Sequence, residues 1–157
     1  MGRQTIEEVS SSLQGIEPGE LGPGVKADAG KLDLVLFPFS VLKNTKFALP
    51  HQALVESICD GKYAAAIETL FDNGWSSIAG VTRVLEVGAR KYCANNWQNV
   101  RPGIRYVSAA LRHLLATESG EALDPETGLP HLDHLGCCLV FALWQQQQGI
   151  NLWEGYA

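Results

Sequence analysis

The sequence predicts an all-α protein organised around one helical hairpin, and three observations carry that reading. From Arg105 to Gln145, apolar residues recur three and four positions apart on both sides of a polar bend, which is the period of a helix face. The same period returns at Ile78, Val81, Leu85, Gly88 and Tyr92, and in two shorter pieces between Pro50 and Asn73. Residues that start and stop helices bound these runs: Pro102-Gly103, Ser119-Gly120, Asn73-Gly74.

Taken in order, residues 1–27 are rich in Gly, Ser, Pro and Glu and are expected to be flexible, or ordered only against another subunit. A single helical domain is expected over 28–148, followed by a tail over 149–157. Asp28-Ala29-Gly30-Lys31 reads as a turn with a lysine at its exit. The following LDLVLFPF contains Pro38 and is too short for a helix, so it is expected to be extended or a buried loop. Between Pro50 and Asn73 the two helical pieces break near Asp60-Gly61. Ser76 or Ser77 caps the next helix, in which Gly80 and Gly88 cost stability unless another backbone comes close. The first hairpin helix carries Val107, Leu111, Leu114 and Leu115 as its stripe. The second opens at Pro130, where no amide donor is needed, and carries Leu132, Leu135, Leu139 and Leu143. Trp153 and Tyr156 are expected to dock on the body or on a neighbour.

At 157 residues, 46% hydrophobic and 18% charged, the composition is that of one globular domain. A net charge of −5 and a pI near 5.3 exclude a surface that wraps a nucleic-acid polymer, though a few local cations suffice for one nucleotide. Cys59, Cys93, Cys137 and Cys138 follow no disulfide or CxxC framework, and no secretory leader is evident. A reducing cytoplasm is the expected setting. The longest apolar run, Leu135 to Trp144, falls well short of the roughly 20 residues of a spanning helix, so no membrane role is expected.

The hairpin also carries the chemistry. Three of the four histidines, His113, His131 and His134, lie in it together with Glu118, Glu121, Asp124 and Glu126. If the helices pack antiparallel, the imidazoles converge at the end where the acidic connection lies. Burying such groups beside a leucine stripe is costly unless they pair or bind a cation. A mixed imidazole and carboxylate set suits Zn, Mn, Fe or a Mg-type ion without choosing among them. Glu86, one step off its helix stripe, is a further ligand candidate. His51 reads as an ordinary core or surface histidine. Lys91, Tyr92, Asn96, Trp97 and Arg101 place cations, amides and an indole where phosphate, base edge and base face can be met.

Asp28-x-Gly30-Lys31, then Val84-Leu85-Glu86-x-Gly88-Ala89-x-Lys91-Tyr92 with Asn96-Trp97, then Ala110-Leu111-Arg112-His113-Leu114-x-Ala116, run into Gly120-Glu121-x-x-Asp124-x-Glu126-x-Gly128-x-Pro130-His131-x-x-His134. This pattern resembles the phage dATP/dGTP diphosphohydrolase family, which is MazZ-like and related to the all-α MazG-type nucleotide pyrophosphohydrolases. The resemblance implies an all-α bundle of the NTP pyrophosphohydrolase type, assembled as a homo-oligomer, a dimer or tetramer. It implies hydrolysis of dGTP or dATP to the monophosphate and pyrophosphate with a divalent metal, Mg or Mn. Residues 39–80 read as an insertion between segments that family joins closely, and its paired ExxE and ExxD metal helices do not occur in that form.

Under this reading Asp124, Glu126, His131, His134 and Glu86 are metal ligands, and Glu86, Glu126 and His113 serve catalysis. Lys31, Lys91, Tyr92, Asn96, Trp97 and Arg112 bind the nucleotide. The rival expectation is a non-hydrolytic protein that sequesters a nucleotide or nucleotide signal and so counters a host defence.

Overall fold

The computed structural model describes Lys26 and residues 28–156, so the flexible segment expected over 1–27 lies, Lys26 apart, outside the described residues. These residues form five α-helices and no strand: α1 (Gln52–Cys59), α2 (Tyr63–Asp72), α3 (Ile78–Lys91), α4 (Ile104–Glu118) and α5 (His131–Gln147). Short 3-10 turns stand at Leu34–Leu36, Phe39–Leu42 and Asn96–Asn99. No helix among the described residues is long and apolar enough to cross a membrane. All four cysteines are free thiols.

The hairpin of α4 and α5 is the centre of the molecule. The C-terminal end of α4 meets the start of α5, where His113 touches His131. At the far end Gly103 lies against the Gln145 side chain, so the two helices run antiparallel. α5 is apolar almost all round, which marks a helix enclosed on every side: Leu135, Cys137, Cys138, Leu139, Ala142 and Gln145 are all buried. Leu111 and Leu114 of α4, Ile58 of α1 and Leu70 of α2 complete a core in which none of these four exceeds 1% exposure. Burying each such side chain contributes about 1.5–3 kcal/mol.

The expected breaks fall where the residue chemistry puts them. Gly61 and Gly74 adopt positive φ, 74° and 68°, and end α1 and α2 with the left-handed residue that a side chain disfavours. The Ser77 hydroxyl accepts from the Gly80 amide at 3.0 Å and caps α3. Gly80 is justified by proximity, since a β-carbon there would run into the Asp133 carboxylate of α5, itself bonded by Ser76 at 2.8 Å. Gly88 has no such neighbour.

Three expectations need correction. The LDLVLFPF stretch is neither extended nor a buried loop: it coils into a 3-10 turn at Leu34–Leu36 and enters a second at Phe39, its one buried residue, while Ser108 and Arg112 of α4 hold its first residues. Ser108 accepts from the Leu34 amide at 2.9 Å, and Arg112 donates to the Leu32 carbonyl at 2.7 Å. Ile78 does not join the stripe of α3: it is 76% exposed, and burial begins beyond it at Gly80 and Val81. Pro130 precedes α5 as its cap rather than forming its first residue. Apart from these three corrections, residues 39–80, expected as an insertion, send Phe39, Leu54, Val55, Ile58, Tyr63, Ala66 and Leu70 into the core.

Lys26 and residues 28–34 form a strap laid along one face of α4. The Gly30 turn, with φ at 76° and the Lys31 amide bonded to the Asp28 carbonyl at 3.1 Å, reverses the chain as expected. Arg105 grips Asp28 with two bonds of 2.9 and 2.7 Å and donates to the Lys26 carbonyl at 3.1 Å. Arg105, Ser108 and Arg112 share that face of α4 by their three- and four-residue spacing. At the other end of the chain, Leu152 caps the Ile104 amide at 2.9 Å, and the Tyr156 hydroxyl donates to Asp33 at 2.7 Å. The tail therefore docks on the body.

Candidate metal centre

The bend between α4 and α5 is built to hold three polar side chains inward. Gly120, at φ 99°, ends α4, while the amides of Gly120 and Glu121 bond back to Thr117 and Ala116 at 3.0 Å each. The chain then forms a small antiparallel bridge between Leu123 and Pro130. The bonds Asp124 amide to Leu129 carbonyl, 2.8 Å, and His131 amide to Ala122 carbonyl, 2.9 Å, close it. Inside it, Asp124 Oδ1 accepts from the Glu126 amide at 3.0 Å and the Asp124 carbonyl from the Gly128 amide at 2.7 Å. Asp124 is fixed by its own turn. Only 5% of it is exposed, and Oδ2 faces His134 Nε2 at 3.3 Å.

His113 comes from α4 and stacks on His134 of α5 with ring centres 4.7 Å apart and planes 11° from parallel. One ligand atom each from His113, Asp124 and His134 lies within 4.8 Å of the other two, the spacing of groups that can share one ion. Ligands about 2.0–2.2 Å from an ion stand roughly 3 Å apart, which the 3.3 Å between Asp124 and His134 satisfies. The donor set fits a divalent cation. Burial pushes His113 well below its ordinary value, and His134, His131, Lys26 and Arg112 nearby push the same way. Burial lowers His134 too, against the pull of Asp124. Neutral imidazoles with free lone pairs are the form that binds metal.

His131 stands behind this group. Almost wholly buried, it faces His113 Nδ1 with its own Nδ1 at 2.8 Å and Glu121 Oε1 with Nε2 at 2.6 Å. Thr127 Oγ1 lies 2.7 Å from His134 Nε2. Two lysines flank the cluster: Lys31 pairs with Glu126 at 3.4 Å, and burial lowers the Lys91 amine while the Glu126 and Asp124 carboxylates raise it. Lys26, over the Tyr106 ring at 5.2 Å, is pushed down to about 8 by burial, with Cys138 and Asp28 opposing.

The structure thus brings His113, His131, His134, Asp124, Glu126, Lys31 and Lys91 to one end of the hairpin. It does not bring Glu86 there, which is exposed on α3 and outside the three-ligand group. Trp97, expected to offer its face to a base, lies flat against Phe141 at 4.6 Å and 8° and edge-on to Trp144. Asn96 beside it is buried. His51, read as ordinary, packs on Trp75. Sequence reasoning placed Glu121 in the cluster without a role and passed over Thr127 and Lys26. The spacing of Thr127 and His134 straddles the bend, so only the bridge at Leu123 and Pro130 sets them together.

Residues 61–153 match the model of the family described as dATP/dGTP diphosphohydrolase, N-terminal. The chain belongs to that family. A stretch of 64 residues is 41% identical to a dATP/dGTP diphosphohydrolase of Salmonella phage PMBT28, covering 41% of this chain and 22% of that protein. The match thus spans about a fifth of the relative's length. No solved structure matches. The dATP/dGTP diphosphohydrolase match takes in α2 to α5 and so the whole bend, and it includes 61–80, the second half of the stretch read as an insertion.

Proposed function

We propose that this chain hydrolyses a purine deoxynucleoside triphosphate, dGTP or dATP, to the monophosphate and pyrophosphate with the help of a divalent ion. The convergence of His113, Asp124 and His134 beside Lys31 and Lys91, in a chain of this family, carries the reading. These three residues would hold the ion, and two imidazoles with one carboxylate favour Mn over Mg, which prefers oxygen ligands throughout. A bound divalent ion supplies neutralisation of phosphate oxygens and a lowered pKa for water.

The chain's own groups do the rest. Glu126, held 3.4 Å from Lys31, accepts the proton of the attacking water. Water adds to the α-phosphorus, the bond to the bridging oxygen breaks, and pyrophosphate leaves. Lys31, Lys91 and Arg112 offset the charge that moves onto the leaving group. Tyr92 would meet the base, while buried Asn96 and Trp97, stacked on Phe141, would hold the loop that carries it. Glu86 takes no part in this reading. Exposed Leu32, Leu36, Phe37 and Val41 give the strap side an apolar surface that suits a second copy in a dimer or tetramer, which light scattering tests.

The deciding experiment incubates the purified chain with Mn and dGTP or dATP and separates the products. Monophosphate and pyrophosphate are expected in equal amounts. No product from any nucleotide, across several divalent metals, removes the hydrolytic reading and leaves sequestration, which recovery of intact bound nucleotide would identify.

A further inference from the structure

Two δ nitrogens facing one another at 2.8 Å, those of His113 and His131, share a single proton, because two N–H groups would repel and two lone pairs would not bond. The far side of His131 decides which ring owns it. Its Nε2 lies 2.6 Å from a Glu121 carboxylate oxygen, an acceptor only, so Nε2 carries hydrogen. A neutral His131 then has its lone pair on Nδ1, and His113 must be the donor through Nδ1. His113 is left with its lone pair on Nε2. A cation taken up by His113 Nε2 requires this same arrangement, with the hydrogen on His113 Nδ1 and the His131 Nδ1 lone pair accepting it across the 2.8 Å contact.

We propose that Glu121 and His131 are positioning residues: a hydrogen-bonded chain, Glu121 to His131 to His113, that locks His113 in its Nδ1–H form and presents Nε2 to the cation. His131 has both ring nitrogens engaged and supplies no ligand. It turns His113 into one, as partners behind a ligand do when they fix its tautomer and raise its basicity. The layout gives the chain a rigid base and an accessible end. His131 is 1% exposed and held at the first turn of α5, whereas the Glu121 side chain is 45% exposed. The assignment rests on the metal-site reading, but not on hydrolysis.

Long-range proton–nitrogen NMR of the metal-free chain reads the tautomers directly. The expected spectrum shows His113 protonated at Nδ1 and His131 at Nε2, and a His113 protonated at Nε2 overturns the proposal. Manganese affinity, followed by electron paramagnetic resonance, is the second arm. Because Glu121 lies half in solvent, Glu121→Ala is expected to fold and to weaken manganese binding by about 10–100-fold. Glu121→Gln keeps an acceptor oxygen and is expected to restore most of that loss. An affinity for Glu121→Ala within about twofold of the parent overturns the chain's role. A chain that shows these tautomers and binds manganese yet cleaves no nucleotide supports this assignment and removes only the enzymatic reading.

Discussion

Asp124 does two jobs with its two oxygens, and they can be separated. Oδ1 holds the turn through the Glu126 amide, while Oδ2 faces His134. Asp124→Asn retains an oxygen for the amide and removes the charge, so the fold is expected to survive while manganese affinity falls. The loss should be at least about the 10–100-fold that removing a mere supporting partner costs, and calorimetric titration with manganese checks it. Lys31 offers the complementary test, since it would meet the phosphates and not the cation. Lys31→Met is expected to raise KM for dGTP while manganese affinity stays unchanged, the pattern of a residue that binds substrate charge. Glu118 is a different case: one oxygen accepts from the His51 amide at 3.1 Å, the other is buried without a partner, and burial raises its carboxyl. A carboxyl raised in the fold costs stability above its ordinary range, so Glu118→Gln should raise the melting temperature at pH 8 and leave it unchanged at pH 4.

Among the elements, α5 sets the tolerance of the rest. Leu139 is fully enclosed, and Leu139→Ala is expected to cost about 2–5 kcal/mol in chemical denaturation. Gly80→Ala tests the contact between α3 and α5 from the opposite direction. The added carbon would displace Asp133 from Ser76, an overpacking cost of about 1–3 kcal/mol, whereas Gly88→Ala meets open space and should be neutral or mildly stabilising. The two glycines look alike in the helical pattern. Their difference lies in which one faces α5, and the exposure of Ile78 shows that the buried stripe of α3 starts later than periodicity implies.

For the molecule as a whole, the bend joins stability to proton and metal concentration. His113 and His134 have folded-state values below the ordinary 6.5, so the unfolded chain binds more protons as pH falls past about 6.5. Stability is therefore complete above that range and declines below it. The metal-free protein is expected to show a lower urea midpoint at pH 5.5 than at pH 7.5. Manganese added at pH 7.5 should raise the midpoint further by mass action, since it binds the folded bend and not the open chain.

The helix stripes, their glycine and proline boundaries, and the gathering of imidazoles and carboxylates at one bend were legible in the residues. Period and punctuation are local, and two helices joined by a short connection have little choice but to bring their near ends together. What the chain in isolation left open was division of labour. His131 and His134 look equivalent three residues apart, yet one is bonded on both nitrogens and the other faces Asp124. Glu86 and Trp97 look available, yet one points to solvent and the other is spent on Phe141. Such outcomes depend on helix rotation and on neighbours distant in sequence, and a few degrees of packing decide which nitrogen or ring face remains free. The residues fixed that a polar centre would form at this bend; only the tertiary structure chose its members.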